Sequence, residues 1–424
     1  MNLLLQPSIC NPQSDIKITG SKSETNRLLL LQALFPNIAI ENISNSDDSE
    51  VMQMALSKDL SSQAQSRDID IHHAGTAMRF LTAFFAIQEN RTVTLTGSPR
   101  MKERPIKILV DALQQLGAKI EYVEGEGFPP IKITGQKLTQ SKVSLPASVS
   151  SQYISALLLI ASKLENGIEL TLEGEITSVP YIKMTLALLN EIGVETSFEG
   201  NKIIVTPRVS SRAQSRDEVP ERQILTVESD WSSASYFYSI VALAKEGTTI
   251  NLSSYKENSL QGDSALAEIY KNLGVETTFK NNTITLQKSQ YSPSTIDELD
   301  LNNCPDIAQT IVVTCLGLGI GCHLTGLHTL KIKETDRLEA LKVELTKLGA
   351  NISVTNESLT LEPSNDINSN VKIATYNDHR MAMAFAPLAL KIPIIIENAE
   401  VVSKSFPDFW NDLKSLGFGI SEID

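Results

Sequence analysis

Paired cysteines, long apolar runs and an excess of basic charge are all missing from this sequence. Among its 424 residues are four cysteines, Cys10, Cys304, Cys315 and Cys322, with no CxxC pair and no zinc-type spacing. That argues against a disulfide framework or a metal site and reads as reduced thiols in a cytosolic protein. No run approaches the roughly 18 apolar residues of a membrane span. The opening MNLLLQPSICNPQSD lacks the basic start of a secretory signal and the arginine-rich character of a transit peptide, so a cytoplasmic location is expected. Lysines and arginines number 37 against 50 aspartates and glutamates, a net charge of −13. Nucleic acid and anionic membrane both favour a basic surface, so neither is expected as a partner. A small anionic ligand in a locally positive cleft remains compatible with that balance. The spacing GxxxxGK[ST] is also missing, which argues against an ATP-binding P-loop despite GSKS at 20–23.

What is present is a repeated helix ending. ILVDALQQLGAKIEY (108–122) recurs as MTLALLNEIGVETSF (184–198), ALAEIYKNLGVETTF (265–279) and EALKVELTKLGANISV (339–354), with a shorter echo in FWNDLKSLGFGI (409–420). Each runs from helical apolar spacing into a glycine and then an alternating, strand-like segment. Gly117, Gly193, Gly274, Gly349 and Gly417 stand where a helix C-cap takes a left-handed residue. After the glycine comes a hairpin pattern, as in VETTFKNNTITLQ, where Asn281–Asn282 suits the turn. A degenerate copy over 41–72, with VMQMALSKDL as its helix, brings the count to six, which divides into two domains of three. The boundary is placed near TVESDW (226–231), after the polar stretch RVSSRAQSRDEVPERQ (208–223), read as a solvated loop.

A second pattern is cationic. In GSKSETNR (20–27), Ser21 and Glu24 fit a capping box, so a helix is expected to begin there. Its first amides favour an anion, with Lys22, Ser23 and Arg27 as further donors; a capped helix with solvated cations is the ordinary explanation. The mixture returns in HHAGTAMR (72–79), SVSSQY (148–153), NDHR (377–380) and SKSFPD (403–408). PRMKERP (99–105) alternates Arg100, Lys102 and Arg104, which an extended backbone would point one way, and KETDR (333–337) is expected to start a helix with Lys333, Glu334 and Arg337. Each segment alone reads as a surface or cap feature. Together, in an acidic repeat protein, they point to a ligand with several negative charges.

GSKSETNR, AGTAMR, PRMKERPI, SSQ, SDWSSASYF, PDIAQT, KETDRL, NDHRMAM and SKSFPDF, spread from residue 20 to residue 409, resemble the 5-enolpyruvylshikimate-3-phosphate synthases (3-phosphoshikimate 1-carboxyvinyltransferases), of the enolpyruvyl transferase family. The resemblance implies a two-domain, inside-out α/β fold, each domain three βαβαββ units, with the substrate cleft between domains. It places the first domain at 21–228 and the second at 1–20 plus 229–424, with hinges near 20 and 229. It implies transfer of the enolpyruvyl group of phosphoenolpyruvate to the 5-hydroxyl of shikimate 3-phosphate, with no metal or organic cofactor, by a monomer. Lys22, Ser23, Arg27, Ser150, Ser151, Gln152, Ser178, Tyr181, Asp306 and Lys333 would hold shikimate 3-phosphate. Lys22, Gly75, Arg104, Gln152, Arg337, Arg380 and Lys404 would hold phosphoenolpyruvate. Asp306 is the base candidate at the 5-hydroxyl and Glu334 the acid at the methylene, with Lys22 assisting. Read without the resemblance, Asp306 is a first-turn helix carboxylate and Glu334 an i, i+3 partner of Arg337.

Some positions depart from the family pattern. His73 stands where Asn or Asp is usual and Phe80 where many members have proline; both lie near Gly75 and bear on sensitivity to inhibitors such as glyphosate. Trp231 replaces a small residue near the expected domain crossing, and Thr329 receives no role. Two other readings compete. A UDP-N-acetylglucosamine enolpyruvyl transferase would carry a lid cysteine in its first repeats, where this chain has only Cys10. A non-catalytic binder of phosphorylated metabolites would have no use for Asp306 and Glu334 together.

Overall fold

The computed structural model describes residues 1–7, 13–60, 66–148, 150–207, 222–290 and 294–423. Cys10, Val149 and most of the polar stretch 208–223 lie outside the described residues. The chain divides into a continuous unit, Lys22–Val227, and a discontinuous one, Met1–Ser21 with Glu228–Asp424.

Helices form the interior of each unit and sheets its outside. In the continuous unit the helix Ser151–Ala161 is buried on all sides except at Gln152. In the discontinuous unit Trp231–Leu243 is buried except at Ser232. All-round burial selects apolar and small residues on every face and erases the amphipathic stripe of a surface helix. The strands instead alternate. In Ile168–Glu173, Ile168, Leu170 and Leu172 point inward and their neighbours outward, the period-2 pattern of a sheet with one wet face.

One sheet design recurs. In the order Ser66–Asp70, Thr92–Thr96, Ile131–Thr134, Lys119–Tyr122, the first pair is parallel and the next two pairings antiparallel. Lys142–Pro146, Ile168–Glu173, Lys202–Val205 and Thr196–Glu199 repeat it. Among the described residues the discontinuous unit holds three such sheets. In one of them, Val371–Ile373 and Ile394–Ile396 are completed by Asn2–Gln6 and Gly419–Ile423. The degenerate copy does have its helix, Asp47–Leu60, but among the described residues its sheet is the parallel pair Ile38–Glu41 with Gln223–Thr226.

All five repeat glycines have positive φ, from 80° to 100°. At Gly117 the amide donates to Gln114 and the Ala118 amide to Leu113, the paired bonds of a Schellman ending. Asn281 and Asn282 (φ 52° and 56°) turn the hairpin between Val275–Lys280 and Thr283–Lys288. Trp231 is fully buried, its indole donating to the Glu228 carboxylate at 2.8 Å and its ring packed edge-on against Tyr255. Among the described residues no helix is long and apolar enough to cross a membrane.

Candidate active site

In the continuous unit the cationic motif begins the helix Lys22–Leu34. Lys22 Nζ lies 3.3 Å from Asp48, and the Ser21 amide donates to the Glu228 carbonyl at 2.7 Å. Arg27 turns inward and is 2 % exposed. Its guanidinium donates to Thr185 Oγ1 (2.8 Å), Ser155 Oγ (2.9 Å), the Ser23 carbonyl (2.7 Å) and the Tyr181 carbonyl (3.4 Å). The Phe80 and Tyr181 rings lie 5.4 and 5.9 Å from it, within cation–π range. Burial lowers its pKa to about 10 against the opposing pull of Tyr181 and Glu24. Arg27 thereby ties three helix segments together at the motif.

Ser150 caps the helix Ser151–Ala161 by accepting from the Gln152 amide. The Gln152 side chain donates to Thr76 Oγ1 at 3.2 Å, which sets it beside Gly75 at the start of helix Gly75–Ala86. Gly75 leaves room for the Arg104 guanidinium: a Cβ there would meet Arg104 Nη2 and Cζ at 2.8 and 2.9 Å and push that end of the side chain aside. Arg79, buried and unassigned from sequence, donates to the carbonyls of Gly75 (3.2 Å) and Pro105 (2.9 Å) and so holds Gly75 and Arg104 together. Ser178, buried, takes a left-handed backbone (φ 53°, ψ 39°) ahead of helix Val179–Glu191, the kind of conformation that collects at functional sites.

PRMKERP is not extended. Ser98 and Pro99 start a short helix, Pro99–Lys102, whose Met101 amide Ser98 accepts. A serine cap with proline behind it outweighs the alternation of charge. Arg100 and Lys102 pair with Glu103 and Glu124 at the surface, while Arg104 is buried.

The discontinuous unit carries a charge-paired network. Asp306, in the turn Pro305–Ile307, meets Arg337 at 2.8 Å, Arg380 at 3.3 Å and Lys333 at 3.5 Å. Arg337 also donates to Glu334 (2.9 Å) and to Asp378 (2.7 Å), so both its ion pairs and its 2 % exposure mark it as a hub. Burial alone would push the Asp306 carboxyl up, but Lys333, Arg380 and Arg337 together hold it well below the usual carboxylate range. Burial likewise opposes the charge of Arg337, and Asp378, Glu334 and Asp306 override it and raise its pKa. KETDR does not start the helix; Arg337–Lys347 begins at its last residue, because Asp336 supplies the cap to the Glu339 amide. Asp378 caps helix His379–Phe385 by accepting from the Arg380 amide at 2.9 Å. Lys404 ends the turn Ala399–Lys404 and donates to the Asn377 carbonyl at 2.5 Å. Thr329 is buried, its hydroxyl without a partner among the described residues.

The family model described as EPSP synthase (3-phosphoshikimate 1-carboxyvinyltransferase) matches residues 41–413. The chain belongs to the EPSP synthase family. A 3-phosphoshikimate 1-carboxyvinyltransferase of Bacteroides fragilis (strain YCH46) is 46 % identical over 413 residues, 96 % of each chain. One from Shewanella pealeana is 35 % identical over 438 residues, covering 98 % of this chain and all of that one. The fold matches the solved EPSP synthase of Acinetobacter baumannii with a TM-score of 0.77 at 23 % identity, over 99 % of this chain and 100 % of that one. In this EPSP synthase family member the Phe80 ring lies against the Arg27 guanidinium. Sequence reasoning missed Thr185, Ser155 and Asp378, which orient the assigned arginines. Only Asp378 had a local signal, as an aspartate just ahead of a helical run.

Proposed function

We propose that this chain transfers the 1-carboxyvinyl group of phosphoenolpyruvate to the 5-hydroxyl of shikimate 3-phosphate and releases phosphate. The observation that carries the reading is Asp306, a carboxylate held by Lys333, Arg337 and Arg380 with Glu334 on the far side of Arg337. Asp306 takes the proton of the 5-hydroxyl as that oxygen attacks the central carbon of phosphoenolpyruvate, and Glu334 delivers a proton to the methylene. Loss of a methyl proton then breaks the carbon–oxygen bond to phosphate and restores the vinyl group. Lys22, Gly75, Arg104, Gln152, Arg337, Arg380 and Lys404 hold the donor in this reading. Lys22, Ser23, Arg27, Ser150, Ser151, Gln152, Ser178, Tyr181, Asp306 and Lys333 hold the acceptor, and Lys22 assists the proton transfers.

The free-enzyme geometry leaves Asp306 a weak base, because three cations favour its ionised form. Two of those cations, Arg337 and Arg380, belong to the donor set. An anionic donor that draws them off raises the proton affinity of Asp306 at the moment a base is needed. The net charge of −13 suits small anionic substrates in a locally cationic site rather than a polyanion. The protein works as a cytoplasmic monomer, without a metal or organic cofactor. The test is phosphate release from phosphoenolpyruvate with either shikimate 3-phosphate or UDP-N-acetylglucosamine as acceptor. Release with shikimate 3-phosphate alone is expected; release with the nucleotide sugar would overturn the acceptor, and none with either would leave a binding protein.

A further inference from the structure

A further buried carboxylate stands behind Arg380. Asp263 lies in the turn Gly262–Ala265 and is 2 % exposed. The turn is fastened to the start of helix Trp231–Leu243, since Gln261 accepts from the Trp231 amide (3.0 Å) and donates to the Ser229 carbonyl (2.9 Å). From that helix Ser232 donates its hydroxyl to Asp263 Oδ2 and accepts from Arg380 Nη2 at 3.2 Å. A serine hydroxyl has one proton to give. Giving it to Asp263 turns its lone pairs toward Arg380.

We propose that Asp263 is a positioning residue for donor binding, which through the Ser232 hydroxyl fixes the Arg380 guanidinium to receive phosphoenolpyruvate. The role rests on the function proposed above. The same Arg380 nitrogen lies 3.3 Å from Asp306 Oδ2. An incoming anion must compete with Asp306 for this guanidinium, whereas the neutral Ser232 oxygen can keep its hold while the anion binds. Asp263 is an expensive way to hold a serine if stability were its purpose: its Oδ1 has no hydrogen-bond partner among the described residues, and a buried acceptor left unmatched is destabilising. Burial first, then the charges of Asp306 and Asp230, push its pKa up to about 7 against Arg380 and the Ser232 hydrogen bond. The nearby Cys304 thiol is raised by its own burial and then by Asp263.

Asp263→Ala, which removes the acceptor that an asparagine oxygen would still supply, and Ser232→Ala, which removes the hydroxyl between, each break this link. Each is expected to raise the KM for phosphoenolpyruvate about tenfold, with kcat and the KM for shikimate 3-phosphate changed less than about twofold. The double variant should be no worse than Ser232→Ala alone, because Asp263 acts on Arg380 only through that hydroxyl. A donor KM that stays put, a parallel rise for both substrates, or additive effects would overturn the role. If circular dichroism finds Asp263→Ala unfolded, Ser232→Ala decides alone, since it leaves the carboxylate in place. No phosphate release by the wild-type chain would remove the functional reading and this role with it. That result is distinct from an active wild type whose donor KM neither substitution moves.

Discussion

Arg27 in the continuous unit and Arg337 in the discontinuous unit are both 2 % exposed, yet they are held in opposite ways. Arg27 donates to hydroxyl and carbonyl oxygens, all neutral, and burial depresses its pKa. Arg337 is gripped by Asp378, Asp306 and Glu334, which raise it. A buried cation on neutral acceptors keeps its field for whatever anion comes near. One surrounded by carboxylates has that field cancelled until a ligand displaces a partner. The continuous unit is thus built as a cationic cradle, although Lys22 does pair with Asp48. The discontinuous unit keeps its charges balanced in reserve.

That contrast can be broken by substitution. Asp306→Asn is expected to lower kcat by roughly 10²–10⁴ while the acceptor still binds, measured by phosphate release beside calorimetric titration. Near-normal turnover would leave the network without a base to hold. Arg337→Gln takes a guanidinium away from three carboxylates, of which Asp306 keeps Lys333 and Arg380 while Asp378 is fully buried, and should cost about 3 kcal/mol of stability in urea denaturation. Arg27→Gln, which leaves only neutral acceptors behind, should cost far less stability and weaken shikimate 3-phosphate binding by about tenfold or more. Equal losses of stability in the two variants would erase the distinction.

Asp263 sharpens the comparison through pH. Its folded pKa of about 7 stands above its ordinary 3.8. The stability it contributes is therefore fully present below pH 3.8 and is lost as pH rises through 7. Asp263→Asn should gain stability relative to the wild type across that window, read as the difference between their melting temperatures. A difference that stays flat with pH would place the carboxyl's titration elsewhere. The smallest effect belongs to the repeat endings. Gly117→Ala forces a side chain into a left-handed backbone at a cost of about 1 kcal/mol, although open space surrounds it. Gly125, equally open but without positive φ, is the control and should change by less than about 0.5 kcal/mol.

Features carried by neighbouring residues were legible. The five C-cap glycines, the Asn281–Asn282 turn and the helix beginning at Lys22 each depend on a few adjacent residues. The same locality misled at PRMKERP, where alternating cations suggested an extended backbone and Ser98–Pro99 imposed a helix. At KETDR the charged residues drew the helix start forward by a turn, and Asp336 set it. The pairing of Ile38–Glu41 with Gln223–Thr226 joins segments far apart in sequence, and nothing near either strand announces it. The same is true of Ser155 and Thr185, small buried residues in two different helices. The carboxylate–serine–arginine chain from Asp263 is assembled from three separate segments, so no motif could contain it.

Asn2 stands opposite Ile423 in the sheet that also holds Ile394–Ile396. The strand at one edge of that sheet is therefore translated hundreds of residues after the neighbour it pairs with, a delay on the order of half a minute at ordinary elongation rates. Lys22–Val227 is contiguous and can condense while the remainder is still being made. Residues 2–6 must wait. In a nascent chain Asn2–Gln6 has neither of its sheet neighbours, Ile394–Ile396 and Gly419–Ile423, until both have been made.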